Sequence, residues 1–146
     1  ITDFNRVKDL KAWLVDDNNT HPLERPAWGL THHRHPCTIW TNESYDNYVW
    51  HWRLGVALCH EYTKRYKRQH KAEPVFDWLG KNKPRSMQSK GLTPFAIAIS
   101  DHMNCRQIDG FDELSAIEKY RLYYIHDKNH IAEWKTEKPD WYGDII

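Results

Sequence analysis

The sequence is poor in cysteine and glycine, with three and six residues of each, and it lacks any apolar run near the roughly 20 residues that a membrane span needs. Three thiols, Cys37, Cys59 and Cys105, are too few and odd in number for a disulfide framework, which points to a reducing compartment. The opening ITDFNRVKDL is polar, so no signal peptide is read there. No glycine-rich phosphate loop and no Gly-x-Ser-x-Gly occurs. Cys59 and His60 are adjacent on an expected helix, so they do not face each other as nucleophile and base. Paired Cys-x-x-Cys and His-Glu-x-x-His spacings are missing too, which leaves no strong metal signature. Internal repeats and low-complexity tracts are also absent.

What is present is an excess of aromatic residues: eight Trp and eight Tyr in 146 residues. Such rings pack cores, and they also stack on nucleobases and line pockets. Hydrophobic residues make up 40% and charged residues 28%, with a net charge of +1, a balance that excludes disorder for the bulk of the chain. The charge is unevenly spread. Residues 64–90 carry nine Lys/Arg against two Asp/Glu, whereas residues 101–146 carry six against ten. The basic stretch is a candidate contact for phosphates.

Periodicity predicts helices and no alternating strands. Phe4, Val7, Leu10, Trp13 and Leu14 share one helical face, and Asp16 to Asn19 end that segment. Residues 20–35 read as a loop. Pro36 suits a first helical turn, predicting a short helix through Trp40. Ser44 is a good N-cap for a central helix from Tyr45 to about His70, whose wide apolar stripe implies contact from several sides. A short helix is expected over 73–79 and a basic loop over 80–94; residues 95–99 fit strand or helix equally. Asp112 is the expected N-cap of a last long helix over 113–135, with the aromatic tail docked on the body. The fold expected is all-α: one helical bundle domain over 1–146, with two long helices and long ordered loops.

Three constellations carry possible chemistry. His32, His33, His35 and Cys37 could approach a metal if that stretch were extended, and His102 with Cys105 has helical ligand spacing; without a strong signature, the expectation is no metal and no cofactor. His32, His35, Trp40, Asn47, Tyr48 and Trp52 mix rings with polar donors as base-recognition sites do, with Ser44, Asn47, Tyr48 and His51 near one face of the helix start. Arg25, Arg34, Lys64, Arg65, Lys67 and Arg68 are the candidate phosphate contacts. Glu24, in LERP between two prolines, is the candidate acid–base group.

The phrases THHRHPCTIW, ESYDNYVW, ALCHEYTKRY, TPFAIAI, YRLYY and WKTEKPDW, in order from Thr31 to Trp141, resemble a family of small tailed-phage proteins, many from marine phages. The chain departs from that family at Arg34, where Asn is usual, and at Ile99-Ser100, where Met-Pro is usual. More remotely, LERP, a central helix with a basic end, and the tail residues Pro139, Trp141 and Tyr142 are similar in order to phage pyrimidine-dimer DNA glycosylases. That resemblance implies base-excision chemistry: the terminal amine, on Ile1 here, would attack the sugar C1′, Glu24 would assist, and the basic stretch from Lys64 would hold phosphates. The expected function is therefore a phage DNA-repair or DNA-modification protein acting on pyrimidine nucleotides in DNA, in the host cytoplasm. The alternative is a non-catalytic nucleotide- or nucleic-acid-binding protein. In both, the partner is DNA or a nucleotide and no membrane is involved.

Overall fold

The computed structural model describes residues 32–143. The expected helix over 4–15 and the site residues Ile1, Glu24 and Arg25 lie outside the described residues. Within them the chain is all-helical, with four α-helices, three short 3-10 turns and no strand. No described helix is long and apolar enough to cross a membrane.

Helix α1 (Pro36–Glu43) starts where Pro36 requires no amide partner. Its N-cap is His35, whose ring Nδ1 accepts the Cys37 amide at 3.2 Å. A single extended residue, Ser44, then turns the chain into α2 (Tyr45–Tyr66), 22 residues long, and accepts the Asn47 amide at 3.1 Å. This helix stops four residues short of the expected His70 because Lys67 adopts a left-handed conformation, φ 54°, and returns its amide to the Thr63 carbonyl.

Helix α3 (Glu73–Lys81) packs on α2 at very short range. A Cβ at Gly55 would collide with the Phe76 ring, and one at Gly80 would lie 2.7 Å from Trp52. Gly80 thus belongs to a helix interface rather than to the loop expected from 80 onward. Two polar tips close the contact: Trp52 donates its indole N–H to the Phe76 carbonyl (2.8 Å), and Tyr48 its hydroxyl to the Leu79 carbonyl (3.1 Å).

Residues 82–103 have no regular secondary structure and are held by the start of α2. The Asp46 carboxylate accepts from the Ser89 hydroxyl and from the amides of Lys90 and Gly91 at 2.8–3.0 Å. Ser44 donates to the Gly91 carbonyl. Asn47, fully buried, donates from Nδ2 to the Trp40 carbonyl and to Thr93 Oγ1, both at 2.7 Å, and its Oδ1 accepts the Thr93 amide at 3.0 Å. Residues 95–99, where strand and helix could not be told apart, are neither. Tyr120 stands in for a strand partner there: its Oη accepts from the Ala98 amide (2.9 Å) and donates to the Ala96 carbonyl (2.8 Å).

The second half has its own core of Ile99, Cys105 and Phe111, ringed by Met103, Leu114, Tyr120 and Leu122. Helix α4 (Ala116–His126) is shorter than the span expected over 113–135. Its N-cap is Ser115, not Asp112, because Ser115 and Glu118 form a reciprocal capping box. At its end, Asp127 turns its carboxylate to the amides of Asn104 (2.7 Å) and Cys105 (3.0 Å). The tail docks as expected: Tyr142 is buried, meets Trp134 edge-on at 4.8 Å and donates to Asn129 at 2.9 Å. The halves also meet where Glu61 accepts from Thr136 at 2.7 Å and Lys135 lies over the Tyr66 ring.

Two outcomes follow. Asn47→Ala strands the Trp40 carbonyl and the Thr93 amide in the interior and should cost about 3 kcal/mol by urea denaturation, whereas exposed Asn42→Ala should stay within about 0.5 kcal/mol. Burial raises the Asp127 pKa, but the amides of Cys105 and Asn104 outweigh it and hold the group below its ordinary 3.8. The stability it contributes is complete above that ordinary value and is lost as pH falls through the lower folded value. Urea midpoints measured from about pH 6 to about pH 2 should therefore converge for the wild type and Asp127→Asn in acid.

Candidate functional site

Helix α2 meets α1 and α3 on two faces, and among the described residues no other helix packs closely on its third face. Trp50, Leu54 and Leu58, spaced i, i+4 and i+8, are 38%, 40% and 61% exposed. Opposite them α4 presents Ile117 and Tyr124, 59% and 51% exposed. Between the two helices runs a groove of about 720 Å³, with residues 95–96 and Trp141 along its sides. That volume lies in the range of small-molecule sites.

The groove has two aromatic walls. On one, Trp40 meets Trp50 edge-on at 5.6 Å, and Phe95 fills the angle at 5.2 Å from Trp40 and 4.8 Å from Trp50. The buried Trp40 indole is anchored by its N–H to the Thr93 carbonyl, so this wall is fixed by the same segment that Asn47 holds. On the other, Tyr124 and Trp141 lie 6.5 Å apart, and the exposed Arg121 guanidinium sits 5.5 Å over the Trp141 ring. Tyr120, bonded to both Ala96 and Ala98, joins this wall to residues 95–96. Burial raises the Tyr120 phenol above its ordinary value, with the Ala98 amide working against it, so the hydroxyl stays protonated as a donor.

Polar groups in the groove are few. Arg121 is a permanent cation at one edge. His51 lies among the rings, with its Nδ1 2.6 Å from Thr41 Oγ1, and burial pushes its pKa below the ordinary 6.5. Cys37 contributes a half-buried free thiol. Among the described residues no carboxylate lines the groove. The arrangement can stack a flat ring, hold an anion and offer a neutral imidazole.

The residues singled out from sequence are dispersed by this geometry. Trp40 is in the groove wall. Asn47, Tyr48 and Trp52 spend their polar groups on Thr93 and on α3, away from any ligand. His35 caps α1 and contacts the His32 ring at 6.3 Å; both are exposed at the helix start, as is Arg34. Lys64, Arg65, Lys67 and Arg68 sit at the far end of α2, with Lys64 about 20 Å along the helix from His51. Arg65 is paired with Glu61, and Arg68 donates to the Tyr62 hydroxyl. Residues 33–37 turn into a helix instead of extending, and Cys105 is fully buried with its thiol pushed up to about 11, by burial first and Asp127 second. Among the described residues no group of three His, Cys, Asp or Glu could hold a metal ion.

Trp50, Phe95 and Arg121 are not among the residues expected at the site, and Trp141 is read from the sequence only as part of the aromatic tail. The signal for Trp50 and Arg121 is a second stripe, Trp50-Leu54-Leu58 on α2 and Ile117-Arg121-Tyr124 on α4, beside the stripes that pack inward; no helical spacing marks Phe95 or Trp141. Tyr120→Phe should detach residues 96–98 from α4, cost about 1–3 kcal/mol and raise hydrogen exchange at the Ala98 amide. No protein-family model, no curated protein and no solved structure matches the chain.

Proposed function

We propose that the groove between α2 and α4 binds a nucleotide, free or within a nucleic-acid strand, as a non-catalytic binding site. The observation that carries this reading is the pair of aromatic walls with a cation at the edge of one of them. Trp50 and Phe95 on one side and Trp141 and Tyr124 on the other suit a flat base, since every base offers a π-face to an aromatic ring. Arg121 suits a phosphate, which a guanidinium meets with two parallel hydrogen bonds. The base-excision reading uses Glu24 and the amine of Ile1, which lie outside the described residues. The groups in the groove stack, accept and pair, which is what binding needs.

The test is a panel of nucleoside mono-, di- and triphosphates and a short single-stranded DNA, followed by tryptophan fluorescence and thermal melting. A bound nucleotide should quench the fluorescence and raise the melting temperature, with about 2.7 kcal/mol of added stability at a hundredfold excess over Kd. Trp50→Ala or Trp141→Ala should weaken binding about tenfold or more, in keeping with the stacking energy of one base. Arg121→Ala should weaken the nucleotide and leave the matching nucleoside unchanged. Borohydride should trap no covalent adduct with abasic DNA. Silence across the whole panel would reject the reading.

A further inference from the structure

The way His51 is held adds a directional element to the groove. Thr41 Oγ1 lies 2.6 Å from the Cys37 carbonyl oxygen and 2.6 Å from His51 Nδ1. A hydroxyl has one proton, and a carbonyl oxygen only accepts. The Thr41 proton therefore goes to Cys37, and the Thr41 oxygen must accept from His51. In the neutral imidazole this assigns the proton to Nδ1 and the lone pair to Nε2. Nδ1 is turned toward α1, so the opposite edge of the ring is the one left for the groove that His51 lines. No described residue bonds to Nε2.

Resting on the nucleotide reading above, we infer that His51 Nε2 accepts a hydrogen bond from the edge of the bound ring, so that the groove selects bases presenting an N–H or amino donor at that edge. An acceptor fixed among rings discriminates more sharply than one in water, because a carbonyl or bare ring nitrogen facing it leaves two lone pairs opposed with no solvent between them. Thr41 is then a positioning residue, setting the tautomer without touching the ligand.

The same geometry makes binding sensitive to pH. A protonated His51 has no lone pair to offer. The titratable groups that share the groove with it are Cys37 from α1 and Tyr120, Arg121 and Tyr124 from α4; residues 95–96 and Trp141 add none. Among the described residues no carboxylate lines the groove to favour the imidazolium. Burial works in the same direction and keeps the ring neutral below its ordinary 6.5.

The experiment compares two matched pairs of probes: adenosine monophosphate with purine riboside monophosphate, and cytidine monophosphate with its 2-pyrimidinone counterpart. Within each pair only the amino group differs. For the wild type, the amino-bearing member of at least one pair should bind about tenfold more tightly, and that advantage should disappear as pH falls below the His51 pKa. His51→Phe should bring the ratio close to one, His51→Gln, which keeps an acceptor near Nε2, should restore part of it, and Thr41→Val should reduce it. Nitrogen-15 spectra of the wild type, which need no variant to fold, should show His51 as the neutral Nδ1–H tautomer at neutral pH. An Nε2–H tautomer, or equal affinity within both pairs, overturns the inference and leaves nucleotide binding standing. If none of the four probes binds, the inference is overturned, and the nucleotide reading is decided separately by the full panel of di- and triphosphates and single-stranded DNA.

Discussion

The side chain of Asn47 is the contact on which the rest of the arrangement depends. It is fully buried, and each of its polar atoms is used: the amide joins the end of α1 to Thr93, and the carbonyl takes the Thr93 amide. Residues 82–103 carry their own polar backbone and have no sheet or helix in which to pair it. Asn47, with Ser44 and Asp46 beside it, supplies those partners from the first turn of α2. Asp46 does so as a charge: the Ser89 hydroxyl first, joined by the Gly91 and Lys90 amides, outweighs the opposing effect of burial and holds its pKa below the ordinary carboxylate value. A buried amide of this kind acts through specificity as much as through energy, because any other register of the segment would leave it unpaired.

Everything that shapes the groove follows from where that segment is pinned. Thr93 anchors Trp40, and two residues later Phe95 fills the angle between Trp40 and Trp50. From there the chain passes Tyr120, which pairs the backbone of 96–98 and so sets the position of α4. The second half of the described chain has its own core, and the halves meet at Tyr120, at Glu61–Thr136 and at Lys135–Tyr66. The groove is the space left between the halves. Its apolar lining includes the parts of α2 and α4 left exposed at Leu54, Ile117 and Tyr124.

Signals confined to a few neighbouring residues could be read from the sequence. Pro36 and Ser44 mark helix starts because a missing amide or a capping hydroxyl acts within one turn. The Ser115–Glu118 pair was equally local and was passed over for Asp112, which misplaced the start of α4. Its end was misplaced because the apolar period continues through Ile131 and Trp134, while Asp127 turns away to cap Asn104 and Cys105, a long-range contact that periodicity does not report. The site was less legible. Aromatic and polar residues surround α2 on all sides, so its apolar stripe is too wide to tell the covered side from the exposed one, and the hydrogen-bonding groups of Asn47, Tyr48 and Trp52 look as much like a binding site as like packing. Those groups turned out to serve the fold, as buried polar groups must.

By itself the sequence determined the helical class, the main breaks between helices, the docked tail and the concentration of rings around residues 40–52, since each of these follows from composition or from contacts within a turn or two. Only the tertiary structure decided which face of α2 would be covered. Gly55 and Gly80 let α3 come close enough to bury the Tyr48–Trp52 side, and the Asn47–Thr93 pairing brought Phe95 onto the Trp50 side. That choice is a matter of fit between segments some twenty to fifty residues apart, and no spacing along a single helix encodes it.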